Sequence, residues 1–392
     1  MKKIIAAVIA MTMFVSVWGQ LKLSGNEWQK LQSEKINTIE WKQIKLSYPR
    51  QVGKNSRKDI HGYGPSVKVC VLQTFNKQGL GEVRGGISNQ KKNLLRTKTI
   101  GKSVFELIDA DTRLVKDEYR DFDIAIYDLI GVLLDKPAYL LFGEPVSHRV
   151  KCYSGMIYMD DLEYSTKEEG ERCVLENCRY DYDYGYRYFK LKIGRGGMWM
   201  PREEGLRRDI EITKLIHEKF PDVKLLVDAN DAYTVDECIA YLEGVRSVEI
   251  YWMEEPFKEN EKDYAILKEW QKVKAPKLLL ADGEFKPRKE ELLSLGEKNL
   301  LDVYLQDILG YGFTNWIQLL PELKKRKMLA SPHNWGSLLK TVYSAHLAMA
   351  MGNIPIVEGV TCESDELDFG GFDIRDGYFV PSVRPGFGIT LK

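Results

Sequence analysis

Residues 188–194 read YFKLKIG, two lysines set into a short apolar run. Burying an ammonium is costly unless an anion accompanies it. Side chains alternate along a strand, so Lys190 and Lys192 share one face, and Phe189, Leu191 and Ile193 share the other. An edge strand with one wet face would explain these residues taken alone. The sequence around them argues for a different setting.

From residue 148 onward the pattern is strand then helix, repeated. The strand candidates are VKCYSG, YFKLKIG, KLLVDAN, IYWMEEP, KLLLADGE, LDVYLQD, RKMLASPH and IPIVEG, most of them separated by helical stretches such as LRRDIEITKLIHEKF and DECIAYLEGV. Eight short buried strands alternating with helices imply a (β/α)8-type barrel. Upstream, TIEWKQIKLSYP and SVKVCVLQTF read as strands, and residues 89–143 read as helical, including SVFELIDADTRLV and DIAIYDLIGVLL. Strands followed by helices suggest a separate α+β unit. Between the two strands, residues 50–65 form a polar, glycine-containing segment expected to be a long mobile loop. The tail GYFVPSVRPGFGITLK is too irregular for another repeat. Tyr180, Tyr182, Tyr184, Tyr186 and Tyr188 alternate, as in an extended aromatic surface or a packed strand edge.

The chain has 392 residues, 44% of them hydrophobic, and Lys+Arg equals Asp+Glu at 57 each. That supports a sizeable core and gives no charge excess for nucleic acid or an anionic membrane. The opening MKKIIAAVIAMTMFVSVWGQ has a basic start, an apolar stretch, and Val17 and Gly19 at small-residue cleavage positions. It reads as an export signal, residues 1–19, cut before Gln20, which places the protein in a periplasmic or secreted setting. No later stretch is apolar enough to span a bilayer, so no membrane attachment is expected after cleavage. Of the six cysteines, Cys173 and Cys178 are close enough in sequence for a local clip; most are expected to be free and buried, and none catalytic.

Nearly every candidate strand ends in an ionisable residue, and in a barrel those ends converge on one mouth. The two lysines therefore look inward. Asp228 and Asn230 share a face at the next strand end, Glu254 or Glu255 stands at the one after, and Asp282 or Glu284 at the one after that. Spacing alone does not choose within the last two pairs. Three bare carboxylates in one mouth repel, and a divalent cation resolves this; all-oxygen ligation favours Mg²⁺ over zinc. Asp307 and His333 follow at successive strand ends, where an aspartate beside Nδ1 would fix the imidazole tautomer and raise its basicity. Glu358 closes the ring on the last strand.

The ordered set Lys-x-Lys, Asp-x-Asn, Glu-Glu-Pro, Gly-Glu, Asp, His, Glu resembles the enolase superfamily, in the mandelate racemase subgroup of the mandelate racemase/muconate lactonizing enzyme family. DIAIYDLIGVLLDKPAYLLFG and the closing RPGFGITL join the resemblance, which covers roughly residues 36–392. It implies an α+β cap over residues 20–147, a modified (β/α)7β barrel over 148–365, and a segment 366–392 returning to the cap. It implies that Asp228, Glu254 and Glu284 bind Mg²⁺. Lys192 would be one acid/base and His333, held by Asp307, the other. Lys190 would contact the substrate carboxylate and lower the pKa of Lys192, Glu358 would donate a hydrogen bond to that carboxylate, and Asn230 would touch the substrate or support a residue that does. Asp307 stands where muconate-lactonizing and dipeptide-epimerase relatives carry lysine, and Asn230 where galactonate and mannonate dehydratases often carry histidine. The chain departs from the family in ILGYGFT after Asp307, in the long GRGGMWMPREE insertion, and in the tyrosine run.

The implied chemistry is removal of the proton next to a carboxylate through an enediolate. Dehydration of a sugar acid to a 2-keto-3-deoxy acid is the favoured outcome, because Arg50, Lys54, Arg57, His61 and Tyr63 of the polar loop could meet substrate hydroxyls, His61 and Tyr63 foremost. Racemisation or epimerisation of a 2-hydroxy acid is the alternative, and a non-catalytic sugar-acid-binding protein a third reading. The family resemblance also implies a homo-oligomer.

Overall fold

The computed structural model describes residues 19–392. The expected export signal lies outside the described residues, apart from Gly19. Among the described residues no helix is long and apolar enough to cross a membrane.

The first unit is a three-stranded antiparallel sheet, β1 Thr38–Lys45, β2 Ser66–Gln73 and β3 Gln78–Glu82, with helices α1 Gly25–Ser33, α2 Asn89–Thr99 and α3 Asp123–Leu134. The sequence pattern misses β3, because QGLGE lacks the branched residues that mark strands. Its glycines answer to packing. A Cβ on Gly79 would sit 2.4 Å from the Leu129 backbone nitrogen, and one on Gly81 2.4 Å from that of Ala125. The sheet and α3 thus approach backbone to backbone. Asp128, buried in α3, accepts N–H bonds from Leu80 of β3 (2.7 Å) and from Phe387 of the tail (2.6 Å). SVFELIDADTRLV is not a long helix. A 3₁₀ turn at Val104–Leu107 is followed by an Ile108–Val115 bridge, after Ser103 and Glu106 cap the turn.

All eight predicted barrel strands form: β4 Val150–Ile157, β5 Tyr188–Lys192, β6 Lys224–Asp228, β7 Ile250–Glu254, β8 Leu279–Asp282, β9 Val303–Tyr304, β10 Leu329–Ala330 and β11 Ile356–Gly359. Pairing is parallel from β4 through β10, and β11 pairs with β4 in parallel. Between β10 and β11, the Ala330 N–H donates to Asn353 O (2.9 Å) and Ser331 Oγ to Ile356 O (2.8 Å), closing the ring. The connecting helices are α4 Lys167–Tyr184, α5 Arg202–Lys219, α6 Val235–Gly244, α7 Glu261–Lys274, α8 Lys289–Glu297, the short α9 Ile308–Tyr311 with α10 Phe313–Lys325, and α11 Leu338–Met351. Seven crossovers link eight strands and no helix follows β11, so the barrel is of the (β/α)7β kind, a TIM barrel with an N-terminal cap. In the tail, β13 Asp373–Arg375 and β14 Tyr378–Val380 form a hairpin on the start of β4, while β12 Leu367–Asp368 pairs with β15 Thr390–Leu391. Between those strands, Gly386 exchanges backbone hydrogen bonds with Lys136 and Ala138 of the cap.

Inside the barrel, Tyr153, Leu226, Trp252, Ala281, Val303, Leu305 and Ile356 pack as a buried apolar layer. Two residues further along the same strands stand Asp228, Glu254 and Glu358. The period of two carries an apolar floor into a charged mouth.

Two expectations are overturned here. The tyrosine run is mostly helical: Tyr180, Tyr182 and Tyr184 lie in α4, and Tyr180 stacks on Tyr184 four residues on, at 6.4 Å. Cys173 and Cys178 share that helix and are free, as are the other four cysteines; a spacing of five on a helix places the Cα atoms beyond disulfide reach.

His346 of α11 lies against Tyr139 (5.4 Å) and Phe387 (5.2 Å), with neither ring nitrogen hydrogen-bonded. Burial pushes its pKa down to about 3. The folded chain therefore rejects a proton that the unfolded chain accepts near pH ~6.5. This contribution is complete above about pH 6.5 and is lost as pH falls toward 3. Thermal unfolding at pH 7 and pH 4 should show a smaller acid-induced loss for His346→Phe than for wild type. Equal losses would show that His346 takes up its proton without penalty.

Candidate active site

The strand ends assemble one charged cluster. Lys190 Nζ lies 3.0 Å from Glu254 Oε1, 3.1 Å from Glu358 Oε1 and 3.5 Å from Asp228 Oδ2, and the residue is 1% exposed. These three carboxylates are the anions its burial requires. Burial alone would lower its pKa, but Glu254 and Glu358 outweigh that and hold it well above the usual lysine value. Lys192 Nζ donates to Asp228 Oδ2 and faces Glu284 Oε2 at 4.0 Å. Lys190 pushes the pKa of Lys192 down as expected, but it does not set the net direction. Burial and Lys190 do push it down, but Asp228 in direct contact raises it further, and the net direction is up.

Both pairs left open by spacing are resolved by position. Glu254 ends β7 inside the mouth, where Oε2 accepts the Trp252 indole N–H (3.1 Å). Glu255, with φ of 39°, turns away to the Arg57 guanidinium (3.0 Å) and the Phe285 N–H (2.7 Å). Asp282 and Glu284 do not share a face: β8 ends at Asp282, and Gly283 has φ of +127°. Asp282 therefore accepts from Tyr264 of α7 (2.6 Å), while Glu284 enters the mouth. Strict alternation fails likewise after Asp228, where Asn230 is left-handed (φ 46°). Its N–H donates to Asp228 Oδ1 (2.9 Å), and its buried side-chain amide has no hydrogen-bond partner.

Asp228, Glu254 and Glu284 each offer a carboxylate oxygen, all within 4.8 Å of one another. Burial, with Asp228 and Glu284 adding like charge, pushes Glu254 above the usual carboxylate range against the pull of Lys190. Glu284 Oε2 is buried without a hydrogen bond. A crowded all-oxygen set with an unused oxygen fits a hard divalent cation.

His333 Nδ1 lies 3.1 Å from Asp307 Oδ2, and Nε2 lies 3.3 Å from Glu284 Oε1 and 3.9 Å from Glu358 Oε2. The two oxygens of Glu284 thus face Lys192 and His333 respectively. Burial lowers the imidazole's affinity for a proton, but Glu284, Glu358 and Asp307 more than offset this and raise its pKa to about 9. Glu358 accepts the Asn334 N–H (2.7 Å), and Lys190 and His333 overcome burial to keep it below its usual range. Held as a carboxylate, it accepts hydrogen bonds and has none to donate, contrary to the expectation.

The cap loop is fastened to the barrel by hydrogen bonds and ion pairs. Ser56 Oγ donates to Ala229 O (2.8 Å), Arg57 bridges Glu255 and Asp231, and the Trp199 indole N–H donates to Asn55 O (2.7 Å). Most of the loop's expected substrate groups have protein partners: Arg50 holds Asp181 and Lys54 holds Glu163. Tyr63 is 66% exposed and joins none of the site's contacts. His61 does reach the mouth region. Its Nδ1 bonds Gly53 O (2.7 Å), and its ring packs on Tyr158 (4.7 Å) and Trp335 (5.7 Å). The Lys192 ammonium lies 5.5 Å from the Tyr158 ring. Tyr158 immediately follows β4, so a strand-end search extended to neutral polar residues would have found it. No comparable signal marks Trp335, or Lys340, which reaches Asp307 from α11.

The family model for the enolase C-terminal domain-like fold matches residues 174–392. Structural similarity extends over the whole chain. A galacturonate dehydratase point mutant from Geobacillus sp., complexed with Mg, superposes with a TM-score of 0.87 at 29% identity, over 95% of each chain. The same enzyme with D-galacturonate and 5-keto-4-deoxy-D-galacturonate gives 0.85 at 30% identity, over 92% of this chain and 95% of that one. Arabinonate dehydratase of Saccharolobus solfataricus is 26% identical over 69% of this chain and 68% of that enzyme. The chain belongs to the enolase superfamily, within the mandelate racemase/muconate lactonizing enzyme family.

Proposed function

We propose that the protein is a Mg²⁺-dependent dehydratase of a sugar acid, taking the α-proton with one of Lys192 and His333 and expelling the β-hydroxyl with the other. One observation carries the reading: Lys192 and His333 face the two oxygens of Glu284, beside a three-carboxylate cluster. Similarity to galacturonate dehydratase supports the reaction class. The product named in that complex, 5-keto-4-deoxy-D-galacturonate, carries its ketone next to the carboxylate and its deoxy carbon one further on. That is the 2-keto-3-deoxy arrangement counted from the acid.

Held by Asp228, Glu254 and Glu284, a divalent cation would supply positive charge against the substrate carboxylate as negative charge develops there. Lys190 adds a fixed ammonium to the same region. Lys192, after giving its own proton to solvent, has the lone pair to take the α-proton, and the C–H electron pair moves into the carboxylate. His333, in its protonated form and with its Nε2 inside the mouth, gives a proton to the departing β-oxygen as that C–O bond breaks. Water leaves, and the enol collapses to the ketone by taking a proton at the β-carbon. Asp307 orients the imidazole throughout. Asn230 and His61 are the proposed substrate contacts: the first has an unpaired amide, and the second lines the aromatic side of the mouth. Export to a periplasmic or secreted setting and assembly from identical subunits complete the reading. Amino-terminal sequencing of the mature protein and light scattering test those two points.

Incubation of the mature protein with Mg²⁺ and a panel including D-galacturonate, arabinonate, xylonate and gluconate should release an α-keto acid from at least one. Exchange of the α-proton in deuterated water without keto acid would instead mark a racemase or epimerase. Binding with neither would mark a sugar-acid-binding protein. Lys192→Ala and His333→Asn should each lower kcat by on the order of 100-fold or more; near-normal turnover in both would refute the assigned roles.

Calorimetric titration with Mg²⁺ should show one strong site, and Asp228→Asn or Glu284→Gln should weaken it by at least about tenfold. Unchanged affinity in both variants would place the metal elsewhere.

A further inference from the structure

Lys340 has no part in the chemistry above, yet it touches the dyad. It stands in the first turn of α11, seven residues after His333. Its Nζ donates to Asp307 Oδ2 (3.0 Å) and to the Trp335 carbonyl (3.0 Å). The same Oδ2 receives His333 Nδ1 at 3.1 Å, while Oδ1 accepts the N–H groups of Leu309 (3.0 Å) and Gly310 (2.7 Å). Asp307 is therefore held by four donors, and Lys340 is the only charged one among them besides the imidazole it orients.

On its other side Lys340 faces the cap. Glu82, the last residue of β3, is 7% exposed, and its Oε2 has no hydrogen-bond partner. Its N–H donates to the Tyr343 hydroxyl (2.9 Å) of the same helix α11. Glu82 and Lys340 attract, whereas Glu82 and Asp307 repel. Two carboxylates, one from the cap and one from the barrel, thus share a poorly hydrated region with Lys340 as their common cation. Without it, Asp307 loses a donor on the oxygen that holds His333, and Lys340 no longer offsets the repulsion from Glu82.

We propose that Lys340 is a positioning residue: it anchors the Asp307 carboxylate and so keeps His333 with Nε2 aimed into the mouth. Its catalytic consequence depends on the dehydratase reading, but its structural consequence can be measured without it.

The test uses the full mature chain with ¹⁵N-histidine labelling. The Nδ1–H resonance, assigned to His333 by its disappearance in His333→Asn, reports the bond to Asp307. It should be lost or broadened in Lys340→Met and regained in Lys340→Arg. Where Lys340→Met does not fold, the double variant Glu82→Gln/Lys340→Met removes the Glu82 carboxylate together with the ammonium and should show the same loss. On D-galacturonate or whichever panel acid wild type dehydrates, Lys340→Met or the double variant should lower kcat by about 10- to 100-fold with KM within about twofold. An unaltered resonance and unaltered kcat in either folded variant overturn the proposal. If wild type processes no acid, the dehydratase reading fails by itself and the resonance still decides the role of Lys340.

Discussion

The site depends on the charge balance around Lys190. An ammonium that is 1% exposed is tolerable only among anions, and Glu254, Glu358 and Asp228 come from three different strands to supply them. The converse also holds. Those carboxylates would otherwise face one another in a poorly hydrated mouth, where like charges favour protonation or separation. The lysine and the acids permit each other's burial. The result is a preformed set of charges whose orientation needs little reorganisation when charge develops on a substrate.

The rest of the fold serves that balance. The apolar layer of Tyr153, Leu226, Trp252 and Ile356 fills the barrel below the charges and leaves only the strand ends for chemistry. The cap covers the mouth, and its attachment is polar as well as apolar. Asp128 gathers β3 and the C-terminal tail onto α3, Arg57 holds Glu255 away from the metal-ligand position, and Ser56 bonds the backbone beside Asn230. Glu82 of the cap also donates its N–H to the Tyr343 hydroxyl of α11, the helix that carries Lys340.

The barrel was legible because its signal is repeated: eight apolar runs, most ending in an ionisable residue. Lys190, Asp228, Asp307, His333 and Glu358 could be picked out on that ground. The reading broke where a strand stops. Alternation holds only while the backbone is extended, so it misplaced Asn230 and treated Asp282 and Glu284 as equivalent, although left-handed residues or a glycine with positive φ intervene. Periodicity of two also misread the tyrosines of α4, whose hydroxyls and rings obscure a helix that its Thr166 cap and Gly185 stop define. In β3 the glycines hid a strand because the constraint on them, the backbone of α3, lies 44 to 50 residues away. Tyr158 is uncharged, so the pattern of ionisable strand ends does not mark it.

Sequence alone determined the fold class and the residue types that gather at the mouth, because both follow from local periodicity and from where a strand must end. Periodicity alone left open which member of each acidic pair faces inward, a choice made only by the family resemblance, and it could not determine the net direction of the Lys192 pKa, whether loop cations are free for substrate, or that Lys340 stands behind the dyad. Those are properties of distances between segments far apart in the chain. Electrostatic and hydrogen-bond energies depend on such distances, and only the folded molecule sets them.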